Sequence, residues 1–517
     1  MNLTQPLHKA LQEKPDTVAL VYAQRRQTFA MFVQRVARLA AVLRSLGVAN
    51  GERLAMLGQN SDLYVEYLYA TWWAGGVVNP VNVRWSAREI AYSLDDCDTL
   101  ILLVDDSFLD VIPALRTLSS SLTSVLSVGE RNAPADLLAT QALAAAIALI
   151  ADARRSGTDL AAIMYTGGTT GHPKGVMLTH ENLYLSQLST NLAAPRPANA
   201  IGLNLAPMFH VGGMGLTLQL MMRLCQQIIV PAFDEKAVLA TIERERASET
   251  FVVPTMLKRL IDHPCFDQYD VSSLELVLYG AAPIDETLLA TAQARLPHAK
   301  FCQLYGMTEL SPVITVLPPW CHEPTQPAAR RRSAGYPVTI AEVRIIDPDG
   351  VPVPPGTIGE IVARGPMVMA GYWNLPERTA EALRYGWLHT GDGGYMDADG
   401  FVYVVHRLKD MIGTGGGNVY SAEVENAIAQ LPQVSMCAVI GIPDDEWGER
   451  VHAMIVLRLD AALVDTGVVA HCRNLIARYK CPRSVEFVDE MPLSPSGKLL
   501  KYQLRAAYWA GRARGVN

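Results

Sequence analysis

Residues 165–180 read YTGGTTGHPKGVMLTH, with four glycines, three threonines and one lysine packed into positions 166–175. Unobstructed glycine amides, threonine hydroxyls and one mobile ammonium are donors suited to phosphate oxygens. A Gly/Thr-rich surface turn shares that composition. The Walker A pattern, G-x-x-x-x-G-K-[ST], does not fit. Lys174 follows Pro173 and precedes Gly175, so both the glycine before the lysine and the Ser/Thr after it are missing. Pro173 has no amide to donate, which stops a backbone cradle from continuing into the lysine. A loop of this kind must hold phosphate as a flexible clamp.

Seven further motifs follow in order: PMFH (207–210), YGAAP (279–283), YGMTE (305–309), GWLHTGD (386–392), RLKDMI (407–412), GGGN (415–418) and PSGK (495–498). Together with the loop they resemble the adenylate-forming superfamily of acyl-CoA synthetases, aryl-CoA ligases, luciferases and peptide-synthetase adenylation domains. The likeness is closest to the fatty-acid and aryl-acid CoA ligases and covers essentially the whole chain. Gly167 stands where the family usually has serine, and His406 where glycine or aspartate commonly precedes the arginine. The resemblance implies two half-reactions: a carboxylate attacks the α-phosphate of ATP to give an acyl-adenylate and pyrophosphate, and a thiol then displaces AMP.

Site residues follow from the same resemblance. Thr166, Gly168, Thr169, Thr170, Gly171 and Lys174 would hold the β- and γ-phosphates. Glu309, with Thr169, would serve Mg²⁺, and Thr308 would contact the α-phosphate. Adenine would lie between the backbone of Gly280, Ala281 and Ala282 and the ring of Tyr305, beside Gly306 and Met307; small residues suit a flat base because they let the backbone approach. Asp392 would accept hydrogen bonds from both ribose hydroxyls, with Arg407 beside it. Lys498 matches the catalytic lysine that bridges the carboxylate and α-phosphate as charge moves. Lys409 occupies the hinge about which the C-terminal domain turns between half-reactions. Gly415, Gly416, Gly417, Asn418 and Trp447 would line the passage for coenzyme A. Read without the motifs, Glu309 and Lys498 would be solvated surface residues, His210 a satisfied histidine, and the glycines at 415–417 a plain linker.

His210 resembles the gate residue near the carboxylate. An acyl pocket is expected from His210, Val211, Gly213, Met214, Met256, Gly280 and Gly306. No aspartate lies between 207 and 218 to pair with a substrate ammonium, which weighs against amino acids. The pocket segments 211–216, 252–256, 279–282 and 304–313 contain no Lys or Arg, so a second substrate carboxylate would be buried unpaired at high cost. An apolar monocarboxylic acid is expected, either a medium- or long-chain fatty acid or an aromatic acid, with Met214, Met256 and Met307 adaptable in shape. The leading reading is an ATP-dependent acyl-CoA ligase. The alternatives are a stand-alone adenylation enzyme that loads a carrier protein or oxidises its adenylate, and a nucleotide-binding protein that has lost catalysis; retention of Lys498 and Glu309 argues against the last.

Composition narrows the context. Half of the 517 residues are hydrophobic and 18% charged, the balance of a folded globular protein. A net charge of −7 gives no reason to expect nucleic acid or an anionic membrane as partner. The eight cysteines show no C-x-x-C spacing and no paired histidines at metal-ligand distance, so reduced thiols are expected. The N-terminal segment lacks a signal peptide's apolar run. The longest apolar run, 142–151, falls far short of the roughly 20 residues that span a bilayer. The expectation is a soluble cytoplasmic protein acting on small molecules, with a homodimer left open beside the carrier-protein alternative.

Elements must position these residues. Strand-like runs at 54–57 and 99–104 alternate with helical spacing at 28–46 and 62–74, the mark of an α/β layer with a parallel sheet. Beyond about 335, short apolar runs at 343–346, 359–362 and 401–405 break at turns at 347–350 and 397–400, which predicts a β-rich piece. A further unit begins near 406, with Ser421 as the expected cap of a helix carrying Val424, Ile428 and Leu431, and strands at 437–440 and 451–457. The predicted fold is α/β: a large N-terminal domain (1–408) of two α/β subdomains and a small β-rich one, then a small mobile α+β C-terminal domain (409–517).

Overall fold

The computed structural model describes residues 1–129, 138–139, 147–166, 173–407, 412–414, 417–444, 448–494, 497 and 499–510. It is a mixed α/β protein with a large N-terminal and a small C-terminal part, as the alternating apolar runs predict.

Two large sheets carry the N-terminal part. One has eight strands in the order Gly371–Tyr372, Lys174–Thr179, Leu160–Thr166, Val77–Pro80, Arg53–Leu57, Ile101–Val104, Ser124–Ser127 and Leu138–Ala139. Its central strands are buried on both faces, which is why they read as unbroken apolar runs. The other has nine, in the order Tyr336–Pro337, Thr315–Leu317, Lys300–Tyr305, Leu276–Gly280, Glu249–Val252, Ile201–Asn204, Gln226–Ile229, Val18–Tyr22 and Arg25–Thr28. The final pair is a hairpin from the chain's beginning that reaches across to the second sheet. Between the sheets lies the largest core, fed by the helix Phe29–Ser45 and the aromatic helix Asp62–Trp73, buried at every residue but Leu63. Thr28 caps the first of these by accepting from Met31 N, and Gly47 (φ +94°) supplies the left-handed residue after it.

The β-rich piece is a five-stranded sheet of Glu342–Ile346, Gly359–Arg364, Trp387–Met396 and Leu383–Arg384, with Val402–Arg407 added along the long strand Trp387–Met396. The C-terminal part builds its own core on the antiparallel pair Val434–Asp444 and Gly448–Leu457, joined by Ser484–Phe487 running parallel to the second. Helices Ser421–Ile428, Asp465–Leu475 and Lys501–Trp509 accompany it. One expectation is corrected here. Ser421 is the first helical residue and not the cap; Tyr420 holds the cap position, with no side-chain bond, while Ser421 Oγ accepts from Lys501 Nζ at 2.8 Å. Leu431 lies past the helix but still packs on that core. The expected boundary at 408/409 falls outside the described residues. Among the described residues no helix is long and apolar enough to cross a membrane, and all eight cysteines are free.

Candidate active site

Four adjacent strands of the nine-stranded sheet run parallel: Lys300–Tyr305, Leu276–Gly280, Glu249–Val252 and Ile201–Asn204. Each leads at its carboxyl end into a candidate segment: YGMTE, YGAAP, Val253-Pro254-Thr255-Met256 and PMFH. Motifs scattered over a hundred residues thus emerge side by side at one edge, where parallel sheets place their ligands.

The adenine segments fit together closely. Gly280 pairs with Leu304, and a Cβ on it would fall 2.2 Å from the Leu304 carbonyl oxygen. Only glycine lets the two backbones meet there. Ala281 takes a left-handed turn at φ +66° and is exposed, ready to face a ligand; Ala282 is partly buried. Gly306 has φ +158°, and a Cβ would lie 1.9 Å from Pro312 O. The chain then enters a single turn, Thr308–Leu310, with Thr308 and Met307 partly exposed. Tyr305 donates from its hydroxyl to Asp392 Oδ2 at 2.7 Å, so the expected base-stacking ring and ribose carboxylate belong to one cluster. Asp392 is 5% exposed and lies opposite Arg407 in the register of their two strands.

The expected phosphate loop joins the hairpin Leu160–Thr166 and Lys174–Thr179, in which Thr166 pairs with Lys174. Lys174 Nζ lies 4.1 Å from the ring centroid of Tyr372, a cation–π contact. The same Tyr372 donates its hydroxyl to Glu309 Oε1 at 2.8 Å. Burial, then the neighbouring Glu309 charge, pushes the Tyr372 phenol well above its ordinary pKa, so it stays a donor. Glu309 is 6% exposed, the opposite of a solvated surface glutamate. Among the described residues no cluster of three acidic, His or Cys side chains stands ready for a metal. One carboxylate with phosphate oxygens and water is a donor set that suits Mg²⁺, which binds mainly through its nucleotide.

His210 begins the helix Val211–Met222, accepting from Met214 N at 3.0 Å, with its ring 4.6 Å from Phe209. A Cβ on Gly213 would lie 2.2 Å from Pro207 O, which fixes the glycine. Gly212 faces Phe251, which packs among Leu216, Leu278 and Leu304. Val211, Met214 and Met256 are buried.

Three supporting residues escaped sequence reading. Asn60 accepts from Met208 N (2.8 Å) and donates to Ala206 O (3.0 Å), tying the first sheet to the gate segment. Gln187 donates to Ser311 O at 2.6 Å beneath the Thr308–Leu310 turn. Tyr372 is the third. Asn60 follows a strand, Gln187 lies inside a helix and Tyr372 ends a two-residue strand, positions that many residues share.

Gly168, Thr169, Thr170, Gly171, Lys409, Gly415, Gly416, Trp447 and Lys498 lie outside the described residues. Gly417 and Asn418 belong to the short strand Gly417–Val419, paired with Ile412–Thr414.

Fold and site together define a class: an α/β protein whose parallel-strand ends are linked through Tyr372 to the hairpin strand that carries Lys174. The profile of the AMP-binding enzyme family matches residues 7–373, and that of the AMP-binding enzyme C-terminal domain matches 423–498. Feruloyl-CoA synthase of Amycolatopsis is 39% identical over 96% of this chain and 96% of its own. A medium/long-chain-fatty-acid–CoA ligase of Mycobacterium tuberculosis is 35% identical over 98% of this chain and 90% of its own. The crystal structure of an anthranilate CoA ligase with anthranoyl-AMP superposes with a TM-score of 0.92 at 26% identity, covering 99% of this chain and 98% of the other. The chain belongs to the AMP-binding enzyme family, within the adenylate-forming, AMP-forming acid–thiol ligases.

Proposed function

We propose that this enzyme activates an apolar carboxylic acid with ATP, forming acyl-AMP and pyrophosphate, and then transfers the acyl group to coenzyme A with release of AMP. The observation that carries the reading is the joint emergence of PMFH, VPTM, YGAAP and YGMTE from four adjacent strand ends, with Tyr305 on Asp392 and Tyr372 on Glu309.

In this reading the base lies over Ala281 and Ala282 against Tyr305, and the ribose hydroxyls take up the lone pairs of Asp392, assisted by Arg407. Lys174 and the loop from Thr166 hold the departing phosphates. Glu309 would hold Mg²⁺, which neutralises phosphate charge when bound. Thr308 and Lys498 meet the α-phosphate, and Lys498 stabilises the charge that develops as the carboxylate attacks. Residues 1–408 bind ATP and acid; 409–517 turn about Lys409 and bring Gly415, Gly416, Gly417, Asn418 and Trp447 to coenzyme A.

The acid is aromatic in preference to long-chain aliphatic. Phe251 stands against Gly212, where an added Cβ would come within 3.2 Å of its ring. That contact sets a flat apolar ring beside the first turn of helix Val211–Met222, a surface suited to stacking an aromatic acid. The similarity to a feruloyl-CoA synthase agrees. The test is AMP release from ATP and Mg²⁺ with matched aromatic and C8–C16 acids, with and without coenzyme A. Coenzyme A-dependent AMP release led by aromatic acids is expected. Preference for the longest aliphatic acids overturns the substrate assignment; AMP release that needs a carrier protein instead overturns the acceptor.

A further inference from the structure

The turn that precedes Lys498 touches the wall of the acyl pocket. Thr255 Oγ1 donates to Gly497 O at 3.2 Å. Gly497 has φ +77°, and a Cβ built on it would lie 2.5 Å from Thr255 Oγ1 and 3.0 Å from Val253 Cγ2. Around it, Gly497 N donates to Ser494 O (2.8 Å), Leu500 N to Pro492 O (2.9 Å), and Leu493 bridges Leu499. Arg84, from the first sheet's side, reaches Ser494 O at a longer 3.5 Å. Thr255 directly precedes Met256 of the expected pocket, and Gly497 directly precedes Lys498.

A threonine in a helix's first turn ordinarily turns its hydroxyl to local backbone; this one is spent on a carbonyl 242 residues away. We infer that Thr255 is a positioning residue for adenylation. Its hydroxyl latches the lysine-bearing turn onto the pocket wall while the acid reacts and lets go for thioester formation. The inference rests on the proposed role of Lys498. A single neutral hydrogen bond has the modest strength such a latch requires, since a stronger tie would hold the enzyme in its first state. Gly497 complements it by lacking the Cβ that would push the turn off Thr255.

The experiment measures two rates in Thr255→Val, Thr255→Ser and Gly497→Ala: acyl-adenylate formation from acid and ATP, and thioester formation from supplied acyl-adenylate and coenzyme A. Thr255→Val keeps the branched shape and removes only the hydroxyl. It is expected to lower the adenylation rate about fivefold, with the acid KM and the thioester rate unchanged. Thr255→Ser should restore adenylation, and Gly497→Ala should lose more than Thr255→Val. Wild-type adenylation in Thr255→Val overturns the latch, as does equal loss in both half-reactions, or a loss confined to acid KM. Lys498→Ala run in parallel separates the two ideas. If it adenylates normally, the lysine's role fails; if it is inactive while Thr255→Val is normal, only the latch fails.

Discussion

Lys174 and Glu309 come from different sheets, yet one phenol touches both. The ring of Tyr372 faces the ammonium and its hydroxyl holds the carboxylate. In the proposed function Glu309 faces a magnesium–phosphate group, and such a carboxylate gains from an orientation fixed beforehand, because a freely rotating one would lose entropy on binding. Tyr372→Phe keeps the ring and deletes only the donor. It is expected to weaken magnesium–ATP binding about tenfold, the size of a hydrogen bond to a charged group, and to leave binding of metal-free ATP unchanged. Calorimetric titration with and without Mg²⁺ checks this; equal weakening in both would place Tyr372 in packing alone. The residues proposed for function could be named from the sequence because each sits inside a short motif whose neighbours point to it. Tyr372, Asn60 and Gln187 could not, since their partners are set by tertiary approach and their own types are ordinary. Glu309 shows the same divide: its expected role came from YGMTE, but its burial comes from Tyr372 and the Thr308–Leu310 turn.

At the scale of elements, the carboxyl ends of parallel strands decide where chemistry sits, and the ends of helices decide how they are held. Helix His180–Ala193 starts directly after the strand carrying Lys174. Thr179 accepts from Asn182 N, and Asn182 in turn accepts from Thr179 N, a reciprocal cap. His180, its first residue, is 1% exposed, and neither ring nitrogen finds a hydrogen-bond partner among the described residues. Burial pushes its pKa from 6.5 down to about 4, only partly opposed by Asp159. The unfolded chain therefore binds a proton that the folded chain refuses. Stability from this group is complete above pH 6.5 and falls as pH drops toward 4. Between pH 7 and 5 it should cost about 2 kcal/mol. His180→Leu should flatten that part of the stability curve, read from urea midpoints at the two pH values; an unchanged slope would contradict the assignment. Several elements were readable from periodicity: the strand at 54–57 is observed as Arg53–Leu57, and the helix at 62–74 as Asp62–Trp73. The hairpin Val18–Tyr22 with Arg25–Thr28 was not, nor its place at the far edge of the second sheet, because strand order depends on contacts distant in sequence. Ser421 was misread for a related reason: capping chemistry allowed it, but Lys501 from the last helix claims its hydroxyl.

For the molecule as a whole, a net charge of −7 sets the problem of binding an anionic nucleotide. The answer in the proposed function is local. Lys174, Arg407 and Lys498 supply positive charge from three parts of the chain, and glycine backbone supplies the rest. In that proposal, dividing the work also accounts for the departure from the Walker pattern: Lys174 would serve the phosphates that leave, while Thr308 and Lys498 would meet the α-phosphate. The Thr255–Gly497 hydrogen bond ties the turn before Lys498 to the segment carrying Met256 of the expected acid pocket. The central claim is that one lysine serves only the first of two half-reactions. Lys498→Ala, assayed for acyl-adenylate formation from ATP and acid and separately for thioester formation from supplied acyl-adenylate and coenzyme A, tests it most directly. The account predicts loss of the first rate by at least about a hundredfold, the scale of a removed transition-state charge contact, with the second within about threefold of the unmutated enzyme. Equal loss of both rates would contradict it.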